Sequence, residues 1–282
     1  MKKRILLPTD YSKNALNAIR YALDLYQDFE CDFYFLNKYT VTGYSLDSMM
    51  VPEPGEKLYE AAKKASEDGM ERLMEILKLH PENSKHTYHT ISTYNSLLLA
   101  VENIIAKKDI DVIVMGTKGN TGASSVIFGT NTVAIMEKIT NCPVIAVPAN
   151  YSFSPPKEIV FPTDYKADYK RKELIYLLEI AKAHKCAIRV LHVSEEAELN
   201  TKQKNNKILL EDILEGLDFS FHTLSNIKVS KGINTFVESR GSDMVAFLNK
   251  KHFFFGSLLS NPLVKEIGYN TNIPVLVLKD ND

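Results

Sequence analysis

The chain has 282 residues, 34 basic against 35 acidic, and 45% hydrophobic residues. That length and apolar content suffice for two cores, so two domains are expected. The balanced charge, without a sustained basic tract, excludes the electrostatic footprint of a nucleic-acid binder, and no apolar run is long enough to cross a bilayer.

In chain order, Lys3 to Pro8 reads as a first strand. The run from Met1 to Pro8 briefly imitates a signal peptide, but Thr9 and Asp10 end it before a hydrophobic segment forms. Ser12 can cap a helix with Ala15, Ile19, Ala22 and Leu23 on one apolar face. Cys31 to Leu36 is the next strand, with Asn37 following it, and a long excursion to Pro54 leads to a helix from about Glu56 to Leu79. The charges on that helix, including Lys63, Lys64, Glu67 and Asp68, fit a solvated face. His86 to Ser92 supplies a third strand, Leu97 to Lys107 a helix, and Asp111 to Met115 a buried fourth strand. Thr130 or Asn131 then caps a helix bearing Val133, Met136 and Ile139, and Pro143 to Val147 closes the sheet.

The pattern then repeats. ILLPTDYSKNA from Ile5 is matched by IVFPTDYKADY from Ile159, and TNCPVIAVPA from Thr140 by TNIPVLVLKD from Thr271. A duplication explains both matches. The break falls in the segment from Asn150 to Pro156, giving domains over residues 1–149 and 157–282 joined by a linker at 150–156. Strands alternating with helices in each copy predict an α/β protein of two tandem doubly wound parallel-sheet domains. The second copy is shorter before its fourth strand and nearly equal in length after it.

The candidate site lies in the first copy. GTKGNTGASSVIFGTNT, Gly116 to Thr132, follows the fourth strand at Met115 and precedes a helix, so free backbone N–H groups at that helix start can receive an anion. No Gly-Lys-Ser or Gly-Lys-Thr ending is present, and Lys118 is wrongly placed for a P-loop lysine, so P-loop chemistry is not indicated. The structural alternative is that Gly116, Gly119 and Gly129 permit turns with positive φ. Asp10 and Asn37 sit where a doubly wound sheet opens its ligand crevice. An ionised Asp10 offers only acceptors, which suits an adenine amine or a ribose hydroxyl; its alternative role is a helix cap or support for Ser12. Pro8 and Thr9 set the backbone around the base, while the Thr130 hydroxyl and the N–H groups of Thr130 and Asn131 turn toward a phosphoryl group. In the second copy Gly116 aligns with Leu248 and Gly119 with Lys251, so the cradle is lost.

The other chemistry-bearing residues carry bland readings. Cys31, Cys142 and Cys186 form no close pair and read as inert core residues in a reducing interior. His86 and His89 fall on opposite faces of one strand, and the dispersed histidines make no metal site. Ser124 and Ser125 read as solvated loop residues, and the apolar His252 to Phe255 run as buried or, alternatively, as an interface.

These motifs resemble the universal stress protein family, specifically a tandem two-domain member with a degenerate second copy. Gly116, Gly119, Gly129 and Thr130 match that family's G-x2-G-x9-G-(Ser/Thr) segment, which holds ribose and phosphates. Asp10, within Pro8-Thr-Asp-Tyr-Ser12, matches its nucleotide-contacting aspartate. The chain departs from the family at Asn37-Lys38, where a His-Val-like pair is usual. The resemblance implies ATP or AMP binding by the first copy, Mg2+ arriving through the phosphates, and a second copy in which Asp164 is a structural cap. It also implies that the last strands of the two copies pair antiparallel as a pseudo-dimer, Ile145 and Val147 against Val275 and Val277. The expected function is a cytoplasmic adenine-nucleotide-binding regulatory or stress-response protein without catalytic residues, able to form a homodimer. A slow ATP hydrolase and a ligand-free interaction module are the alternatives.

Overall fold

The computed structural model describes residues 2–41, 55–117, 129–194, 198–249 and 272–279. In the first half the strands are β1 (Lys3–Pro8), β2 (Cys31–Tyr39), β3 (His86–Tyr94), β4 (Val112–Gly116) and β5 (Val144–Val147). Its helices are α1 (Lys13–Leu25), α2 (Lys57–Leu77), α3 (Leu97–Lys108) and α4 (Thr130–Lys138). The second half has β6 (Glu158–Pro162), α5 (Arg171–His184), β7 (Ala187–Ser194), α6 (Thr201–Leu214), β8 (Phe219–Ser225), α7 (Val229–Arg240), β9 (Met244–Asn249) and β10 (Val275–Lys279).

One ten-stranded sheet runs in the order β3-β2-β1-β4-β5-β10-β9-β6-β7-β8. Each half is parallel throughout, and its first strand lies between its second and fourth, which is the doubly wound order. The same local device sets the fourth strand in both halves. Asp111 accepts from Arg4 N at 2.8 Å through its carboxylate, and Asp243 accepts from Lys157 N at 2.7 Å and Glu158 N at 3.0 Å. The halves meet where β5 and β10 pair antiparallel, as the family resemblance implies. The register sets Ile145 opposite Leu276 and Ala146 opposite Val275, rather than Ile145 against a valine. With side chains alternating between faces, this register keeps Ile145 and Leu276 in one core and Ala146 and Val275 in the other.

Two cores flank the sheet because its strands are apolar on both sides. On one side, Ile5, Leu7, Phe33, Phe35 and Val114 meet α1 and α2, and Phe161 and Leu278 share the same core with α5 and α6 residues. On the other, Leu6, Ile113 and Met115 meet α3 and α4, and Val245 and Phe247 share a core with α7 residues. The segment 150–156 is tied down: Asn17 Nδ2 donates to Tyr151 O at 3.0 Å, and Tyr21 packs edge-on against Tyr151 and Phe153.

The cysteines are buried, and burial pushes each thiol up to about 12, out of the range of a reactive thiolate. His86 packs edge-on against Phe33, whereas His89 stacks on Tyr34 and pairs with Asp32 at 2.9 Å, so the two do occupy opposite faces. Among the described residues no group of three metal-ligating side chains converges, and no helix is long and apolar enough to cross a membrane.

Candidate nucleotide site

The site is built where β1 and β4 end side by side. After β1 the chain turns sharply: Thr9 Oγ1 accepts from Tyr11 N at 3.1 Å, Asp10 Oδ1 accepts from Ser12 N at 3.0 Å, and Tyr11 takes φ 63°. Ser12 then caps α1, its Oγ accepting from Ala15 N at 3.2 Å. Asp10 thus supports the turn with one oxygen while its side chain stays exposed. Pro8 and Thr9 are buried beneath it.

Asn37 does not follow β2 but lies within it, since β2 continues to Tyr39. Its amide is committed to the protein. Nδ2 donates to Thr9 O at 2.7 Å and Oδ1 accepts from Ser66 Oγ at 2.7 Å, tying the end of β1 to α2. Tyr11 makes a second tie, donating to Ser66 O at 2.6 Å with its ring against Gly69.

Across the crevice, Met115 is buried in β4 and Gly116 ends the strand. Gly116 has no positive φ, so the turn alternative for it is corrected: its bare Cα leaves room for the Asn14 side chain. A Cβ there would stand 2.6 Å from Asn14 Oδ1 and 2.7 Å from Asn14 Cγ. Asn14, in the first turn of α1, donates its Nδ2 to Thr117 O. Sequence reading passed over Asn14, because a polar residue at a helix start looks like solvated surface; the bare Cα of Gly116 is the signal that something must approach it.

The start of α4 also differs from expectation. Gly129 is the N-cap, extended at φ −63° and ψ 155°, and Thr130 and Asn131 are the first helical residues rather than the cap. Gly129 therefore does not serve a positive-φ turn either. It brings no side-chain acceptor to the helix start, so the first-turn N–H groups keep no side-chain cap. Thr130 and Asn131 are exposed, and Thr132 reaches back to donate to Gly116 O at 3.0 Å, binding the helix start to the end of β4. The buried face of α4 runs through Thr132, Ile135 and Met136. Lys118, Gly119, Ser124, Ser125 and the run His252 to Phe255 lie outside the described residues.

The second half repeats the turn and closes the crevice. Thr163 Oγ1 accepts from Tyr165 N at 2.9 Å, Asp164 Oδ1 accepts from Lys166 N at 2.9 Å, and Tyr165 has φ 56°. Asp164 is therefore a turn residue and not a helix cap. The helix that follows, α5, starts only at Arg171, with Lys170 N donating to Glu173 Oε2 at 3.1 Å. Here the tyrosine is 2% exposed, where Tyr11 is 36% exposed. His192 Nδ1 stands 2.8 Å from Thr163 O, Gln203 Nε2 donates to Asp164 O at 2.8 Å, and Asn206 Nδ2 donates to Tyr165 O at 2.9 Å. His192 on Thr163 O repeats the bond of Asn37 to Thr9 O, whereas Gln203 and Asn206 bring α6 side chains onto the turn and bury Tyr165.

A groove of about 1060 Å³ lies elsewhere, along α2 and the edge strand β3, lined by residues including Glu67, Met70, Glu71, Thr90 and Ser92. It is separate from the junction of β1 and β4.

The sequence model of the Universal stress protein family matches residues 1–148. A universal stress protein of Methanocaldococcus jannaschii is 26% identical over 155 residues, covering 51% of this chain and 81% of its own. A universal stress protein structure from Archaeoglobus fulgidus DSM 4304 superposes with a TM-score of 0.76 over 98% of both chains, at 17% identity. A functionally unknown protein from Pseudomonas aeruginosa PAO1 gives 0.62 over 99% of this chain and 93% of its own, at 12% identity. The structural likenesses extend the fold across both halves, and the match at residues 1–148, more than half of the 282, means that the chain belongs to the universal stress protein family.

Proposed function

We propose that the first half binds one adenine nucleotide, ATP or AMP, between the C-terminal ends of β1 and β4, and that this occupancy regulates the protein. The observation that carries the reading is the contrast between two copies of one turn. After β1 it leaves Asp10 and Tyr11 exposed, and after β6 it is filled by Tyr165, Gln203 and Asn206. The N-terminus of α4 suits phosphate, since unsatisfied N–H groups and the helix dipole both favour an anion. Asp10, an acceptor, suits the amine or hydroxyls of the nucleoside, Gly119 is the second glycine of the family's segment, and Lys118 lies within it. Magnesium would enter with ATP on its phosphates.

In this reading residues 1–149 form the binding domain and 157–282 its partner, joined by 150–156. The two pair within one chain, and a homodimer of chains and a cytoplasmic setting go with it. The test is denaturing mass spectrometry of small molecules released from fresh protein, with calorimetric titration of ATP and AMP. Copurified nucleotide, or saturable binding near one per chain, supports the reading; neither would end it in favour of an interaction module. Asp10→Ala should weaken AMP by about tenfold, the scale of one lost charge-assisted hydrogen bond. Phosphate release measured on the same samples separates binding from slow hydrolysis.

A further inference from the structure

The sheet has an open edge at β3, the first strand in its order. Cys31 lies opposite His86 and its N donates to Lys85 O at 2.9 Å, so Lys85 and every second residue after it aim their backbone groups at β2. Tyr88, Thr90 and Ser92 aim theirs outward, where among the described residues no backbone group pairs with them. The usual guards of an edge are missing. β3 runs 9 residues in unbroken register without a proline or an Asp, Glu, Lys or Arg. At the opposite edge β8 is shorter, 7 residues, and Lys207 lies across it with its Nζ 4.7 Å from the centre of the Phe221 ring.

Thr90 and Ser92 also form one wall of the groove of about 1060 Å³, and α2 forms the other. Met70 and Met74 give the α2 wall apolar surface, and it carries four carboxylates, Glu67, Asp68, Glu71 and Glu75, against the single base Arg72. Lys78 pairs with Glu75 at 2.6 Å, while Glu67, Asp68 and Glu71 enter no salt bridge among the described residues. We propose that this edge and groove take up an extended segment of a partner protein with lysine or arginine at alternate positions, which joins the sheet as a further strand beside β3. Backbone pairing supplies the hold, and the groove supplies the choice of side chain. A basic side chain turned toward α2 lays its aliphatic stem on Met70 and Met74 and its charge among the carboxylates. Charge disfavours a second copy of the chain in this place, since a two-fold axis through β3 would bring the carboxylates of two α2 helices together. The surface lies apart from the junction of β1 and β4 and does not require an occupied nucleotide crevice.

The experiment titrates the full chain, by calorimetry, with a capped peptide of about eight residues that alternates lysine and valine. It should bind saturably at one per chain, and the same peptide with glutamate for lysine should not bind. Two further peptides carry a backbone N-methyl group on every lysine or on every valine. One of them should bind at least tenfold more weakly, because its lost donors face β3, and the other should bind as the parent does. Glu67→Gln combined with Glu71→Gln should weaken the parent peptide at least tenfold. Thr90→Pro removes an outward N–H while leaving the ladder to β2 intact, and should weaken it as much; where this variant fails to fold, the methylated peptides test the same contact. Absence of saturable binding by the parent peptide overturns the proposal, and so does equal binding of all three lysine peptides, which is charge attraction without a strand. A native dimer in sedimentation that Thr90→Pro breaks assigns the edge to a second copy and also overturns it.

Discussion

Single residues carry the difference between a crevice and a filled core. Gly116 is needed for the Asn14 carboxamide that lies against its Cα. Gly116→Ala should displace the Asn14 carboxamide and break its bond to Thr117 O, costing about 1 kcal/mol of stability, read by urea unfolding. Another residue has its role fixed by charge. Burial works to raise the Glu158 carboxyl, but hydrogen bonds from Arg240, Ser242 and Arg189 outweigh it and hold the group down at about 2. A carboxylate lowered in the folded state stabilises above its ordinary range, and that contribution fades as the pH falls. Glu158→Gln should therefore be less stable than the native protein at pH 7, with the gap closing between pH 4.5 and 2 in denaturant titrations.

At the scale of elements, the duplicated halves share the means of setting a strand and differ in the means of starting a helix. Asp111 holds one backbone N–H and Asp243 two at the start of their half's first strand. Asp111→Ala and Asp243→Ala should each cost about 1–3 kcal/mol, since each leaves backbone donors without their carboxylate, and a thermal melt of either variant checks this. By contrast, α1 begins at Lys13 directly after its turn, whereas α5 begins at Arg171 after a longer connection in which Tyr165 and Tyr169 bury themselves. The delayed helix start lets the second crevice fill. The repeat of Pro-Thr-Asp was legible in the sequence, but its consequence was not, because the side chains laid on the second turn come from α6, distant in the chain.

Across the whole molecule, the halves are joined by more than the pairing of β5 and β10. Lys279 at the end of β10 is 3% exposed and donates to Met136 O in α4, so a second-half lysine anchors the helix whose other end starts at Gly129. Burial lowers its ammonium to about 8. The unfolded chain then binds more protons than the folded one between pH 8 and its ordinary value of 10.5, so this group makes stability rise with pH across that window. Relative to Lys279→Met, the native protein should gain on the order of 3 kcal/mol between pH 7 and 10.5, measured by urea unfolding at both.

The sequence by itself determined the doubly wound order, the repeated Pro-Thr-Asp turn and the family, because periodicity, turn chemistry and motif spacing are local properties written in consecutive residues. The tertiary structure alone decided that Asn37 is spent on Ser66 and Thr9, that Gly129 rather than Thr130 caps α4, that Asn14 and Thr117 hold unpaired polar atoms beside Gly116, and that Asp164 faces a filled crevice. Each of these depends on which side chain arrives from a distant segment to complete a hydrogen bond or occupy a volume, and such meetings are fixed by packing rather than by neighbours in the chain.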